Sequence, residues 1–138
     1  MVSTHTHEIS TAGQGDAHDL TAIVAKAVAG SNLTTGVATV FVVGSTAGVT
    51  TLEFESGVVQ DLDRALQRLA PREGDYQHHL RWGDDNGSSH VRAALVGPSV
   101  TVPFVGTKLM LGTWQQIVLV ELDTQPRRRQ IVIQLLGE

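Results

Sequence analysis

Two stretches near the C-terminal end constrain the fold most. Ile117 to Leu122 (IVLVEL) and Ile131 to Leu136 (IVIQLL) are almost continuously apolar and rich in β-branched residues. Runs of this length bounded by turn residues read as strands. A strand that is apolar on both faces must be covered on both, by helices or by another copy of the chain. The turn between them falls around Asp123-Thr124-Gln125-Pro126. With 138 residues there is room for one domain, residues 1–138, and only a few helices.

The remaining elements fit an α+β domain. Residues 2–10 alternate loosely and are rich in Thr and Ser, which predicts an exposed edge strand. Asp16 is placed to cap a helix over 17–29, with Leu20, Ile23, Val24, Ala27 and Val28 on one face. Residues 37–43 (VATVFVV) read as a buried strand and 49–55 as a second. Ser56 then caps a helix that Pro71 stops. Residues 72–89 lack apolar periodicity and read as a long polar loop, of a length that is usually functional or disordered. A short helix over 90–95 and strands at 98–104, 108–122 and 129–136 complete the chain, with a bend at Gly112. The expected architecture is a mixed, mostly antiparallel sheet with two main helices.

Charge and composition exclude several classes. A net charge of −4 offers no basic face for nucleic acid. No apolar run reaches the roughly 20 residues that span a bilayer, and the first ten residues do not resemble a signal peptide. A cytoplasmic protein without membrane contact is the expectation. The absence of cysteine removes disulfides, thiolate metal sites and a thiol nucleophile.

The chemistry-bearing residues concentrate in the polar segment. His78, His79 and His90 stand there with Asp84, Asp85 and Asn86. Imidazole with carboxylate suits acid–base work or a divalent ion. Adjacent His78 and His79 point apart on an extended chain, so only one of them is expected to join His90. The plainer alternative is a surface turn with solvated charges. Gly44-Ser45-Thr46-Ala47-Gly48 is small enough for backbone N–H groups to approach an anion, and equally reads as a tight hairpin. Glu53 shares a strand face with Glu55. Trp114, next to Gln115 and near Gly112, either bounds a pocket or simply packs. Arg127-Arg128-Arg129 is most simply a solvated hairpin tip, with a phosphate or acidic partner as the minority reading.

Taken together, STAGVTTLEFE (45–55), RLAP (68–71), WGDDNGSSHVRAALVGPSVTVPF (82–104), LGTWQQIVLVELD (111–123) and RRRQIVIQLLGE (127–138) resemble the YjbQ family. The resemblance runs in uninterrupted order from about Val37 to the C-terminus. It implies a mixed α+β fold assembled as a homotrimer, and it implies the secondary thiamine-phosphate synthase activity by which some members are described. His78, Asp84, Asp85, His90 and Glu53 match motif positions of that family, as does the segment Gly112-Thr113-Trp114-Gln115. Two positions depart: Gly44 and Ser88 stand where many members have histidine.

These readings assign Asp84, Asp85 and His90 to catalysis. Ser45, Thr46, Arg92, Trp114 and Gln115 are assigned to a phosphorylated small molecule. His78, His90, Asp85 and Glu53 are the ligands for a divalent ion, zinc or magnesium. The competing reading is a non-catalytic ligand-binding or structural trimer.

Overall fold

The computed structural model describes residues 1–138. Its first sheet has the strand order β1-β8-β3-β5-β6, formed by β1 (Val2–Ser10), β8 (Arg128–Gly137), β3 (Thr35–Val43), β5 (Ser99–Val105) and β6 (Lys108–Leu109). Its second has the order β2-β7-β4, formed by β2 (Ala17–Asp19), β7 (Gln116–Glu121) and β4 (Ala47–Leu52). Every strand pair is antiparallel. Four helices accompany them: α1 (Thr21–Gly30), α2 (Ser56–Leu69), α3 (Gln77–Trp82) and α4 (Gly87–Val96). The expected α+β class holds, with two sheets in place of one and a further helix, α3, beside the two main helices and the short one.

The small sheet lies in the middle of the layers, and β7 lies in the middle of that sheet. Ile117 and Leu119 face the first sheet and α1, in a core with Val40, Val42, Phe104, Ile133 and Leu135. Val118, Val120 and Leu122 face the other way, onto Leu66 of α2 and Ala93 of α4. This double burial is why the IVLVEL run shows no alternation. On β8 only one face is covered within the chain. Ile131, Ile133 and Leu135 are buried, while Gln134 and Leu136 on the opposite face are exposed. No element of this chain covers that outer face.

Two boundaries differ from the sequence reading for local reasons. Residues Ala17–Asp19 pair with Val118–Val120 of β7, so α1 begins only at Thr21. Asp16 does not cap it. Its carboxylate accepts from Ala12 N at 2.8 Å and lies 2.9 Å from His18 Nε2. Burial opposes ionisation there, but the Ala12 N–H and His18 prevail and hold the pKa below the ordinary value. At α2 the cap is Glu55, whose carboxylate accepts from Gly57 N and Val58 N. The N–H of Gly57, then that of Val58, lowers its pKa.

Residues 72–89 are not one long loop. α3 occupies Gln77–Trp82 and ends at Gly83, which is left-handed at φ 64°. α4 starts at Gly87. A six-residue helix completes fewer than two turns, too few to display an apolar period.

Candidate functional site

The position of α4 depends on a close approach to β4. A Cβ at Gly48 would lie 2.5 Å from Val96 Cγ1 and 2.9 Å from Gly97 O. Only glycine lets the helix end seat there, and Val49 N donates to Gly97 O at 3.0 Å. This contact sets α4 beside the connection between β3 and β4. His90 therefore faces an open depression lined also by Gly44, Ser45, Ala47, Ala93 and Pro98.

α3 brings a second imidazole to the first. The rings of His78 and His90 stack with centroids 4.5 Å apart and a tilt of 50°. Asp84 Oδ1 lies 3.3 Å from His78 Nε2. The buried Asn86 side chain sits between them. With its amide turned to satisfy its neighbours, its nitrogen donates to Asp84 Oδ1 at 2.9 Å and to His78 Nε2 at 3.0 Å. Which nitrogen of His78 carries a proton is thereby tied to Asn86. His79 turns away: its Nε2 accepts from Gly87 N at 3.1 Å, and its Nδ1 lies 3.5 Å from Asp85 Oδ1. The adjacent histidines diverge, and His78 is the one that joins His90.

Asp85 is thus separated from the residues with which the sequence grouped it. Its side chain is 89 % exposed and turned toward His79. The proposed metal set is not assembled either. No three His, Asp or Glu side chains come together as a group able to hold an ion. Glu53 follows the end of β4 opposite to Ser45, about 17 Å along a six-residue strand.

Three proposed ligand-binding residues also lie elsewhere. Arg92 points inward. Its Nε donates to Ala70 O at 2.8 Å and its Nη2 to Gln67 Oε1 at 2.5 Å, with Asp63 Oδ1 at 3.5 Å from Nη1. Its side chain is 2 % exposed, so it ties α4 to α2 and presents nothing to a phosphate. Burial first, and then the like charge of Arg72, lower its pKa. Trp114 is 72 % exposed, and Gln115 Nε2 donates to Thr51 Oγ1 at 3.1 Å. Both lie toward the Leu52–Gln116 end of the β4–β7 ladder, whereas Ser45 precedes its Ala47–Glu121 end. Within one chain Trp114 cannot bound the depression at His90.

Thr46 is buried and already engaged. Its hydroxyl donates to Asp123 Oδ2 at 2.8 Å and accepts from Arg129 Nη2 at 2.7 Å. It belongs to a polar cluster that the sequence reading missed. Arg129 grips Glu121 through Nε and Nη2, and Thr11 Oγ1 donates to the same carboxylate at 2.7 Å. Arg127 Nε donates to Asp123 Oδ2 at 2.8 Å. Burial alone would raise the Asp123 pKa, but the Thr46 hydroxyl and Arg127 hold it below the ordinary value. The arginine triplet is therefore not a uniform solvated tip. Arg128 pairs with Glu8 at the surface, and Arg129 is 6 % exposed. A signal for this was present: Glu121 stands inside a run buried on both faces, and a buried carboxylate requires a cationic partner.

Known proteins share this arrangement of elements. The family described as UPF0047 protein YjbQ-like matches residues 5–138. A UPF0047 protein of Mycobacterium tuberculosis is 45% identical over 97 residues, covering 70% of this chain and 71% of that protein. One from Synechocystis is 32% identical over 136 residues, covering 97% and 92%. The crystal structure of a YbjQ-like protein of unknown function from Sulfolobus solfataricus has a TM-score of 0.89 at 30% identity and covers 100% of both chains. An uncharacterized conserved protein of the same family from Clostridium acetobutylicum has a TM-score of 0.83 at 34% identity, covering 94% of this chain and 99% of that one. By the sequence it carries from residue 5 to residue 138 and by its fold, this chain belongs to the UPF0047 (YjbQ-like) family, whose function is not known.

Proposed function

We propose that the protein binds a phosphorylated small molecule in the depression between the Gly44-Ser45 connection and α4, and that His90 moves a proton there. One observation carries this reading. The His90 ring, backed by His78 and through it by Asp84 and Asn86, borders the same depression as Ser45 and the small-residue backbone beside it. An imidazole stacked on a second ring that itself lies beside a carboxylate suits general acid–base chemistry. The thiamine-phosphate synthase-like transfer implied by the family resemblance is its concrete form, a displacement of pyrophosphate whose developing charge needs stabilisation.

The test is turnover of the two synthase substrates with Mg²⁺ by wild type and by His90→Gln. The expected result is a loss of about 10²–10⁴-fold in the variant with an unchanged melting temperature. Equal background rates in both would defeat the reading.

The uncovered sheet face supports a second proposal, that the chain assembles as a homotrimer. Val2, Phe41, Val43, Val105 and Leu136 are exposed apolar residues of the first sheet. The register places Leu136 opposite Val2 and also opposite Val37 of β3. Isolated exposed apolar residues are ordinary, but a sheet face of them is a site for association. A non-catalytic trimer is the alternative. It predicts that His90→Gln lowers the melting temperature and leaves no activity to lose.

A further inference from the structure

We infer that Arg129 is the anion anchor of this site, reaching it through the gap left by the missing side chain at Gly44. The inference rests on the reading of the depression as a phosphate-binding site, and it names a residue that the reading lacks. An arginine has five N–H groups. Arg129 spends Nε–H on Glu121 Oε2 and its Nη2 protons on Glu121 Oε1 and Thr46 Oγ1. Its Nη1 makes no hydrogen bond, and it is not among the buried polar atoms left without a partner, which are Arg72 Nε and Ser89 Oγ. Nη1 therefore keeps contact with solvent although the residue as a whole is 6 % exposed.

Gly44 is its neighbour. A Cβ on Gly44 would lie 2.7 Å from Arg129 Nη1. Gly44 has a φ of 145°, which side-chain-bearing residues rarely adopt. The nitrogen fills the space a side chain would claim, on the backbone that also borders the His90 depression. It cannot readily retreat, because the other two guanidinium nitrogens are pinned.

The surrounding charge defines what would bind. Glu121 and Asp123 balance Arg127 and Arg129, so net charge gives an anion no advantage. The advantage is orientation. Glu121 is saturated by Arg129, Thr11 Oγ1 and the backbone N–H groups of Leu122 and Asp123. The outward edge of the guanidinium keeps both Nη1 protons for a ligand. These two N–H groups diverge by roughly 120°, so one of them together with the exposed Ser45 hydroxyl suits the oxygens of a tetrahedral oxyanion, a phosphate monoester or the terminal phosphate of a pyrophosphate. Unlike a solvated arginine, this one loses no rotamer freedom on binding.

Titration of the full chain with inorganic phosphate, followed by ¹H–¹⁵N NMR, tests the assignment. The expected result is saturable shifts of the Gly44 and Ser45 amides and of the Arg129 guanidinium signals. In Gly44→Ala, the added methyl group should weaken phosphate binding roughly tenfold to a hundredfold, the loss expected for a charge-assisted hydrogen bond. If Gly44→Ala does not fold, the wild-type Arg129 signals decide alone. Phosphate that leaves those signals unmoved, or that binds Gly44→Ala as tightly as wild type, overturns the inference. Phosphate bound at Arg129 without His90-dependent turnover overturns only the acid–base reading. His90-dependent turnover without phosphate at Arg129 overturns only the anchor.

Discussion

Arg129 and Glu121 are joined by two parallel hydrogen bonds, Nε to Oε2 at 2.7 Å and Nη2 to Oε1 at 2.5 Å, with the Glu121 side chain fully buried. The pair links β7 to β8, and through Thr46 and Thr11 it also fastens both chain segments that enter the sheets beside it. A carboxylate this deep is tolerable only because five donors meet it. Removing one partner leaves the other charged and buried. Glu121→Ala is therefore expected to cost about 3–5 kcal/mol in urea unfolding. The double variant Glu121→Leu with Arg129→Met should recover much of that, since an apolar pair carries no desolvation penalty. A double variant no more stable than Glu121→Ala would show that the pair contributes mainly through Thr46 and Thr11.

Asp123 makes a separate contribution that depends on pH. Its folded pKa lies below the ordinary value of 3.8, through Thr46 and Arg127 acting against burial. The unfolded chain thus takes up the proton more readily than the folded one. The stabilisation is complete above about pH 4 and is lost as pH falls through the unfolded value toward the lower folded one. Asp123→Asn should lower stability near neutral pH, and the gap to wild type should narrow below pH 4. Urea midpoints measured from about pH 7 to about pH 2.5 check this. A gap of constant size over that range would contradict it. Some acid sensitivity should persist in the variant, because Asp16 is also held below its ordinary pKa.

What the sequence revealed follows from how each element is stabilised. β3 and β7 were legible because both are dominated by buried β-branched side chains, whose identity reflects packing. The start of α1 was not, since Ala17–Asp19 pair with a strand about a hundred residues away and no local pattern records that. α3 was hidden by its length. Among the candidate residues, His78, Asp84 and His90 lie together, and their crowding in one polar segment is what the sequence shows of this. Arg92 and Arg129 are both buried where their sequence context suggests exposure. Arg92 stands one turn from the polar segment and looks exposed, yet α2 supplies Gln67 and Ala70 O to bury it. Arg129 lies in a run of charge that suggests water, yet strand alternation turns it alone inward, between exposed Arg128 and Gln130. Charge pattern reports solvent only where the register is known.

That same alternation leads to the last prediction. With Ile131, Ile133 and Leu135 turned into the core, β8 sends Val132, Gln134 and Leu136 to the outer face. β3 adds Phe41 and Val43 there, and β5 adds Val105. The middle of the face is polar and internally paired. Thr39 bonds Thr101 across β3 and β5 at 3.0 Å, and Gln134 Nε2 donates to Thr4 at 3.3 Å. Those groups can be covered without being left unsatisfied, so association over this face incurs little polar cost. Sedimentation equilibrium at micromolar concentration should give three times the chain mass of 14.7 kDa. Phe41→Glu places a charge on the face and should yield monomers that retain the far-ultraviolet signature of the fold, because Phe41 is 40% exposed and contributes little to the core. A wild-type mass equal to a single chain rules out the assembly. A Phe41→Glu protein that still sediments as a trimer places the contact on another face.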